Sequence, residues 1–173
     1  ALRSVDAQDK RILYMSPRGR KLDRDLVTDL AAEENLVILC GHYEGIDERI
    51  IDFWKPEEIS IGDYILTGGE LAAMVVVDAV ARMIPSVLGN QESHMEESVY
   101  SGLIEYPQYT KPRVYEEMEV PEVLLSGNHK LIHLWKFEKA CEITKERRPD
   151  LWEAFVRDLS GLTKDERKIV ARL

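Results

Sequence analysis

The stretch Glu58–Gly89, EISIGDYILTGGELAAMVVVDAVARMIPSVLG, combines strand, loop and helix signals in one run. Its pattern predicts a short strand over Glu58–Ser60, a glycine-bearing loop, and an apolar helix that begins near Glu70 and is stopped by Pro85. Such an order can form a small-molecule site, because glycine lets backbone N–H groups approach a ligand. The loop lacks the glycine spacing of a phosphate cradle, so spacing alone favours a structural turn.

The preceding residues predict a strand, a helix and a second strand. Arg11–Ser16 has strand character, Ser16–Arg20 contains the proline and glycine of a turn, and Asp23 is placed to cap a helix. Leu36–Cys40 is apolar at every position, which is typical of a strand in the centre of a parallel sheet covered on both faces. The order strand, helix, strand predicts an α/β fold.

Three loops that contain Gly or Pro follow the predicted strands. They are Tyr14–Pro17, Gly41–Gly45 and Ile61–Gly69. In open α/β sheets, ligands bind at the carboxyl ends of the strands, and right-handed crossovers bring those ends together. The sequence therefore predicts a pocket where the three loops converge.

Composition places the chain among globular proteins. It has 173 residues, of which 45% are hydrophobic, and no run approaches the ~18 apolar residues of a membrane span. No secretory signal is visible. Cys40 and Cys141 are far apart, so we expect two free thiols and a reducing, cytoplasmic environment.

The formal net charge of −9 argues against simple non-specific binding to nucleic acid. The charge is uneven, however, and two basic clusters could contact RNA although such clusters are usually solvated surface. The first contains Arg11, Arg18, Arg20, Lys21 and Arg24, and the second contains Lys136, Lys139, Lys145, Arg147 and Arg148.

The apolar helix carries two charged residues, Asp78 and Arg82, four positions apart. They could form an i,i+4 ion pair that contributes a few tenths of a kcal/mol. Alternatively, the helix packs against another subunit and its charges reach a site or a partner there.

The C-terminal part changes character. Residues 89–105 are polar and acidic, include Glu96 and Glu97, and are typical of a flexible linker. A helical unit then follows, with a long helix from about His129 to Arg148 and a capping box that opens at Thr163. The expected core face of the long helix consists of Leu131, Ile132, Leu134, Trp135, Ala140 and Ile143.

Several long motifs resemble one family closely. They are YMSP-x-GRKLD from Tyr14, CGHYEGIDER from Cys40, SIGDYIL-x-GGE from Ser60, D-x-V-x-R-x-IP from Asp78, YP-x-YT-x-P from Tyr106, and LSGNH from Leu125. From about Arg11 to Leu151 the chain resembles the bacterial tRNA (guanine-N1)-methyltransferases of the SPOUT class.

The resemblance implies a SPOUT-type parallel sheet with a deep C-terminal trefoil knot, followed by a small helical domain. It implies a methyltransferase domain over residues 1–88, a linker over residues 89–105, and a tRNA-binding domain over residues 106–173. It also implies a homodimer with its active site at the subunit interface, S-adenosylmethionine as methyl donor, and a need for Mg²⁺. The acceptor would be N1 of guanine-37, the base just 3′ of the anticodon in tRNA.

Site residues also follow from the resemblance. Glu97 corresponds to the general base, although many members have aspartate there and Glu96 is an adjacent candidate. Arg82 corresponds to the catalytic arginine. The expected cofactor residues are Tyr14, Pro17, Gly41, Tyr43, Glu44, Gly45, Ser60, Ile61, Gly62, Asp63, Tyr64, Ile65, Leu66, Gly68 and Gly69.

Two departures from the family pattern are visible. Ala72 stands where many members have proline, and the first strand and a glycine-rich loop of the family have no counterpart before Ala1. We expect from this that an N-terminal part is missing. Two other functions compete: a non-catalytic RNA-binding or assembly module, which would have a damaged cofactor loop, and a SPOUT enzyme that modifies ribosomal RNA or a ribose hydroxyl.

Overall fold

A computed structural model describes residues 1–42, 45–85, 87 and 101–173. The chain forms two compact units, residues 1–91 and 92–173, and each is described by itself. The strands are β1 Arg11–Lys21, β2 Leu36–Leu39, β3 Glu57–Ser60, β4 Val114–Tyr115 and β5 Met118–Glu119. The α-helices are α1 Arg24–Ala31, α2 Glu48–Trp54, α3 Glu70–Met83, α4 Glu122–Leu125, α5 His129–Arg147, α6 Pro149–Phe155 and α7 Lys164–Arg172.

The N-terminal unit contains a three-stranded parallel sheet in the order β2-β1-β3. This confirms the predicted α/β class. The prediction that Leu36–Cys40 is central is wrong, because β2 lies at the edge of the described sheet and is half-buried throughout. The centre is β1, whose residues 12–16 are all buried. An all-apolar run does not distinguish an edge strand from a central one when a loop or helix covers the edge.

The turn predicted over Ser16–Arg20 is also wrong. These residues belong to β1, and the register shifts so that Met15 and Arg20 both pair with Ile59 of β3. The intervening residues therefore form a large bulge, where Pro17 needs no ladder N–H group. At Gly19 a Cβ atom would lie 2.2 Å from the Glu58 carbonyl carbon, so only glycine permits this approach.

Helix α1 begins where the sequence predicts. Asp23 is its N-cap, and the Asp23 carboxylate accepts a hydrogen bond of 2.9 Å from the backbone N–H of Leu26. Helix α3 runs from Glu70 to Met83, which confirms the predicted start and the stop before Pro85. One face of each of these two helices packs on the sheet. The buried residues of this core are Leu13, Met15, Leu26, Val27, Leu30, Ile59, Ala72, Val76 and Val80.

The other face of α3 is not covered by any of the residues that the structure describes. Leu71, Met74, Val75 and Val77 are large apolar residues with exposed fractions of 56%, 66%, 47% and 55%. Such a contiguous apolar face on a helix is unusual for a free surface.

The C-terminal unit is built on α5. Leu103, Ala140 and Cys141 form its buried centre, against which α6 and α7 contribute Trp152, Phe155 and Val170. The expected core face of α5 is wrong in part, because Leu131 is half-exposed near the N-terminus of the helix, where fewer elements cover it. Burial, together with the nearby Glu166, Glu138 and Glu142 carboxylates, raises the pKa of Cys141 to about 12.

The capping box of α7 is confirmed. The Thr163 hydroxyl accepts a hydrogen bond from the Glu166 N–H, while the Glu166 carboxylate accepts one from the Thr163 N–H at 2.8 Å. Helix α2 and the antiparallel hairpin of β4 and β5 were not predicted. In the hairpin, Glu116 and Glu117 adopt the left-handed backbone that the turn requires.

Candidate functional site

A pocket of about 450 Å³ lies where the loops after β2 and β3 meet the bulged part of β1. This is the convergence that the three loops predicted. Its wall consists of Tyr14, Met15, Ser16, Pro17, Arg18, Gly41, Gly45, Ile46, Glu48, Ile59, Ser60, Ile61, Gly62, Tyr64, Ile65, Leu66, Thr67, Gly68, Gly69 and Ala72.

Most of the expected cofactor residues line this pocket. They are Tyr14, Pro17, Gly41, Gly45, Ser60, Ile61, Gly62, Tyr64, Ile65, Leu66, Gly68 and Gly69. Asp63 does not line it, and its carboxylate instead pairs with Lys21 at 2.6 Å. Arg82 lies half-buried in the last turn of α3 and does not line the pocket. Tyr43, Glu44, Glu96 and Glu97 lie outside the described residues.

Gly69 holds two pocket loops together. Its N–H donates a hydrogen bond of 3.0 Å to the Gly41 carbonyl, so this amide faces the neighbouring loop. A Cβ atom at Gly69 would lie 2.9 Å from the Cys40 Cα atom, closer than real Cβ contacts. The sequence therefore places glycine here because two segments of backbone touch.

Two side chains reinforce this junction. His42 and Gly68 form an isolated antiparallel bridge, and the His42 Nε2 atom lies 2.9 Å from the Glu70 Oε1 atom. A Cβ atom at Gly68 would meet the same Glu70 carboxylate and the His42 ring. Sequence reasoning included neither His42 nor Glu70 among the site residues. Both stand in the motifs, and their positions beside Gly41 and Gly69 were the available signal.

Charged groups form part of the pocket wall. Arg18 lies between Glu58 of β3, at 3.3 Å, and Glu48 of α2, at 3.6 Å. The attraction of these two carboxylates raises the pKa of the Arg18 guanidinium. Arg18 and Glu48 were not among the expected cofactor residues, since nothing in the local sequence shows that their side chains meet at the pocket.

The Ser60 hydroxyl shapes the loop after β3. It donates a hydrogen bond of 3.0 Å to the Gly62 carbonyl and lies 3.2 Å from the Gly62 N–H. Nearby, burial first and the Glu70 carboxylate second raise the pKa of Cys40. A raised pKa lowers the fraction of thiolate, the form of cysteine that acts as a nucleophile.

Most cations of the two basic clusters have a local partner, and several of these partners are carboxylates. In the first, Arg11 meets three carboxylates, Asp29, Glu33 and Glu57. In the second, Lys139 pairs with Glu142 and Arg148 pairs with Asp150. Further contacts involve Lys136 with the Tyr106 hydroxyl and Lys145 with the Leu173 carbonyl. Within the described residues Arg147 is exposed and makes no such contact, so it is the freest cation of the second cluster.

The described residues offer neither a metal site nor a membrane-spanning helix. No group of three or more His, Cys, Asp and Glu residues among them could hold a metal ion. The Mg²⁺ expected from the family therefore has no fitting ligand set in that part of the chain. Over the same residues, every helix is too short or too polar to cross a bilayer.

Comparison with known proteins bears directly on this pocket. The family model described as tRNA (Guanine-1)-methyltransferase TrmD matches residues 1–154, which include the whole pocket wall. The chain belongs to the tRNA (guanine-1)-methyltransferase family. This confirms the family that the motifs predicted.

Individual members of this family are highly similar to the chain. A protein of Pelagibacter ubique is 52% identical over 156 residues, covering 88% of the chain and 68% of the relative. One of Alkaliphilus oremlandii is 54% identical, covering 86% and 60%, and one of Clostridium acetobutylicum is 48% identical, covering 98% and 68%. All three are named tRNA (guanine-N(1)-)-methyltransferase. The chain thus spans about two thirds or less of the length of the curated relatives it matches.

Proposed function

We propose that the protein transfers a methyl group from S-adenosylmethionine to N1 of the guanine just 3′ of the anticodon in tRNA. The observation that carries the proposal is the pocket of the N-terminal unit. Twelve expected cofactor residues line it, and they belong to the motifs of a family of tRNA (guanine-1)-methyltransferases.

The pocket suits S-adenosylmethionine in size and chemistry. Its volume of about 450 Å³ lies in the range of small-molecule sites, and its wall combines apolar side chains with several glycines. Tyr14, Ile61, Tyr64 and Leu66 would contact the apolar parts of the ligand, and the Gly41 and Gly68 segments would offer backbone groups. When bound, the sulfonium supplies an activated methyl group, so the protein supplies orientation and electrostatics.

Methylation of guanine N1 requires a general base and a nearby cation from the protein. Guanine N1 carries a proton at neutral pH, and a carboxylate must remove it as the methyl group arrives. We assign that role to Glu97, with Glu96 as the adjacent alternative. A cation near O6 would stabilise the negative charge that develops on the base, and we assign this role to Arg82 of α3.

The proposal includes a homodimer with the active site at the subunit interface. Support comes from the exposed apolar face of α3, formed by Leu71, Met74, Val75 and Val77. Arg82 lies on the same helix, which would place it beside a partner's substrate. Family membership further supports the deep trefoil knot and a cytoplasmic location beside the tRNA pool.

We also propose a division of labour along the chain. Residues 1–88 would form the methyltransferase domain, residues 89–105 the linker that brings Glu97 to the base, and residues 106–173 the tRNA-binding domain. Within this last part, the exposed Arg147 of the second basic cluster would contact a phosphate.

The decisive experiment uses two tRNA transcripts that differ only in the base 3′ of the anticodon. We expect methyl transfer from labelled S-adenosylmethionine to the transcript with guanine, and digestion of that product should yield 1-methylguanosine. The transcript with adenine is the matched control and should remain unlabelled. Labelling of ribosomal RNA instead, or binding of tRNA without methyl transfer, would overturn the proposal.

A further inference from the structure

The contact between His42 and Glu70 joins two loops that approach the pocket from different strands. His42 follows β2, and Glu70 begins α3 directly after the loop that follows β3. Their side chains meet at 2.9 Å, beside the backbone bridge between His42 and Gly68 and next to the hydrogen bond from Gly69 to Gly41.

Gly68, Glu70 and His42 pack closely where the two loops meet. The missing side chain of Gly68 leaves room for the Glu70 carboxylate, whose Oε2 atom lies 2.4 Å from the position a Cβ atom would occupy. The other carboxylate oxygen lies against the imidazole. A side chain at position 68 would therefore displace the Glu70 carboxylate from its contact with His42.

Exposure limits what the pair can contribute to overall stability. Both side chains are 57% exposed, and exposed ion pairs contribute little to the free energy of unfolding. Its effect should instead be local, because Gly41, Gly68 and Gly69 all line the pocket within one or two residues of the pair. A change that lets the loops separate reduces the fraction of molecules competent to bind, and the apparent affinity falls by that fraction.

We propose that His42 and Glu70 are a positioning pair that holds the two loops at the separation S-adenosylmethionine requires. The pair does not touch the reacting atoms, and it acts through the backbone of Gly41 and Gly68. The inference rests on the proposed function, since the ligand is the methyl donor of that function.

The test is a double-mutant cycle on S-adenosylmethionine affinity, measured by titration calorimetry on the whole chain. His42→Ala and Glu70→Ala should each weaken binding about five-fold, as expected for the loss of one hydrogen bond between the two side chains. The double variant should be no weaker than either single variant, because the two residues act as one unit. His42→Arg should restore the affinity, since a guanidinium also donates to Glu70.

Two controls separate a local role from a structural one. The thermal unfolding midpoint should stay at the wild-type value in all these variants. Arg20→Ala removes another exposed ion pair of the same unit, with Asp23 at 3.1 Å, and should leave the affinity unchanged.

Each failure has its own signature. Wild-type affinity in both single variants, or independent effects that add in the double variant, would overturn the positioning role while leaving the proposed function intact. A wild-type chain that binds no S-adenosylmethionine would overturn the proposed function, and the role of the pair with it.

Discussion

Substitution of single residues in the pocket and the proposed linker should have large effects on cofactor binding or methyl transfer. Gly69 is such a residue, because any side chain there would press into the Cys40 backbone at 2.9 Å. Gly69→Val should separate the two loops and lower S-adenosylmethionine affinity by roughly 100-fold, the upper range for a strained overpacked position. Calorimetry checks the affinity, and light scattering should show unchanged assembly.

Gly161 provides the matched control for this substitution. An added side chain there meets nothing within 4 Å, so Gly161→Val should bind the cofactor normally. If Gly69→Val binds the cofactor normally, the close contact between these loops is not required for binding.

The second prediction for a single residue concerns the group that removes the proton from guanine N1. Glu97→Gln keeps the size of the side chain but removes the base, so methyl transfer should fall by ~10²–10⁴-fold in single-turnover assays. S-adenosylmethionine affinity should stay unchanged, because Glu97 belongs to the proposed linker and to none of the motifs that line the pocket.

Glu96→Gln is the control, and we expect it to stay close to wild-type activity. If Glu96→Gln is inactive and Glu97→Gln is active, the general base is Glu96 and not Glu97. Full activity in both variants would place the base outside the linker.

At the scale of a single element, α7 depends on Glu166. Burial alone would raise the pKa of this carboxyl, but hydrogen bonds from Thr163 and His133 outweigh burial and lower it. A carboxyl whose folded pKa is lowered stabilises the fold above its unfolded pKa, and the contribution is lost as pH falls through the folded pKa. The C-terminal unit should therefore lose stability below about pH 4.3, the ordinary value for glutamate.

Glu166→Gln should destabilise the C-terminal unit by about 1 kcal/mol at neutral pH and flatten this acid dependence. The fluorescence of Trp135 and Trp152 reports the unfolding of that unit as denaturant is added at each pH. Glu146→Gln, at an exposed position of α5, is the control. Identical acid profiles for wild-type and Glu166→Gln protein would contradict the assignment.

At the scale of the whole molecule, the exposed face of α3 predicts self-association. Light scattering at micromolar concentration should give twice the chain mass. Met74→Glu places a charge in the centre of that face and should give a monomer that no longer methylates tRNA.

The control is Phe53→Glu, which changes an equally exposed apolar residue on α2 and should remain dimeric. A monomeric wild-type chain that methylates tRNA would contradict both the dimer and the shared active site.

Local patterns in the sequence predicted much of this molecule. The Asp23 cap, the Thr163 capping box, the α3 limits and the α/β class each depend on residues within a few positions of one another. Such short-range interactions can be identified from spacing alone. The motifs also indicated the family and the three loops that converge on the pocket.

Other features were decided by contacts between distant residues. The central place of β1 and the bulge at residues 16–19 depend on how β1 pairs with β3, about 40 positions away. The meeting of His42 with Glu70 depends on the approach of two loops from different strands. These residues are present in the sequence motifs, but their contacts are visible only in the tertiary structure. The reason is that strand pairing and close packing depend on the whole sheet and not on any one segment.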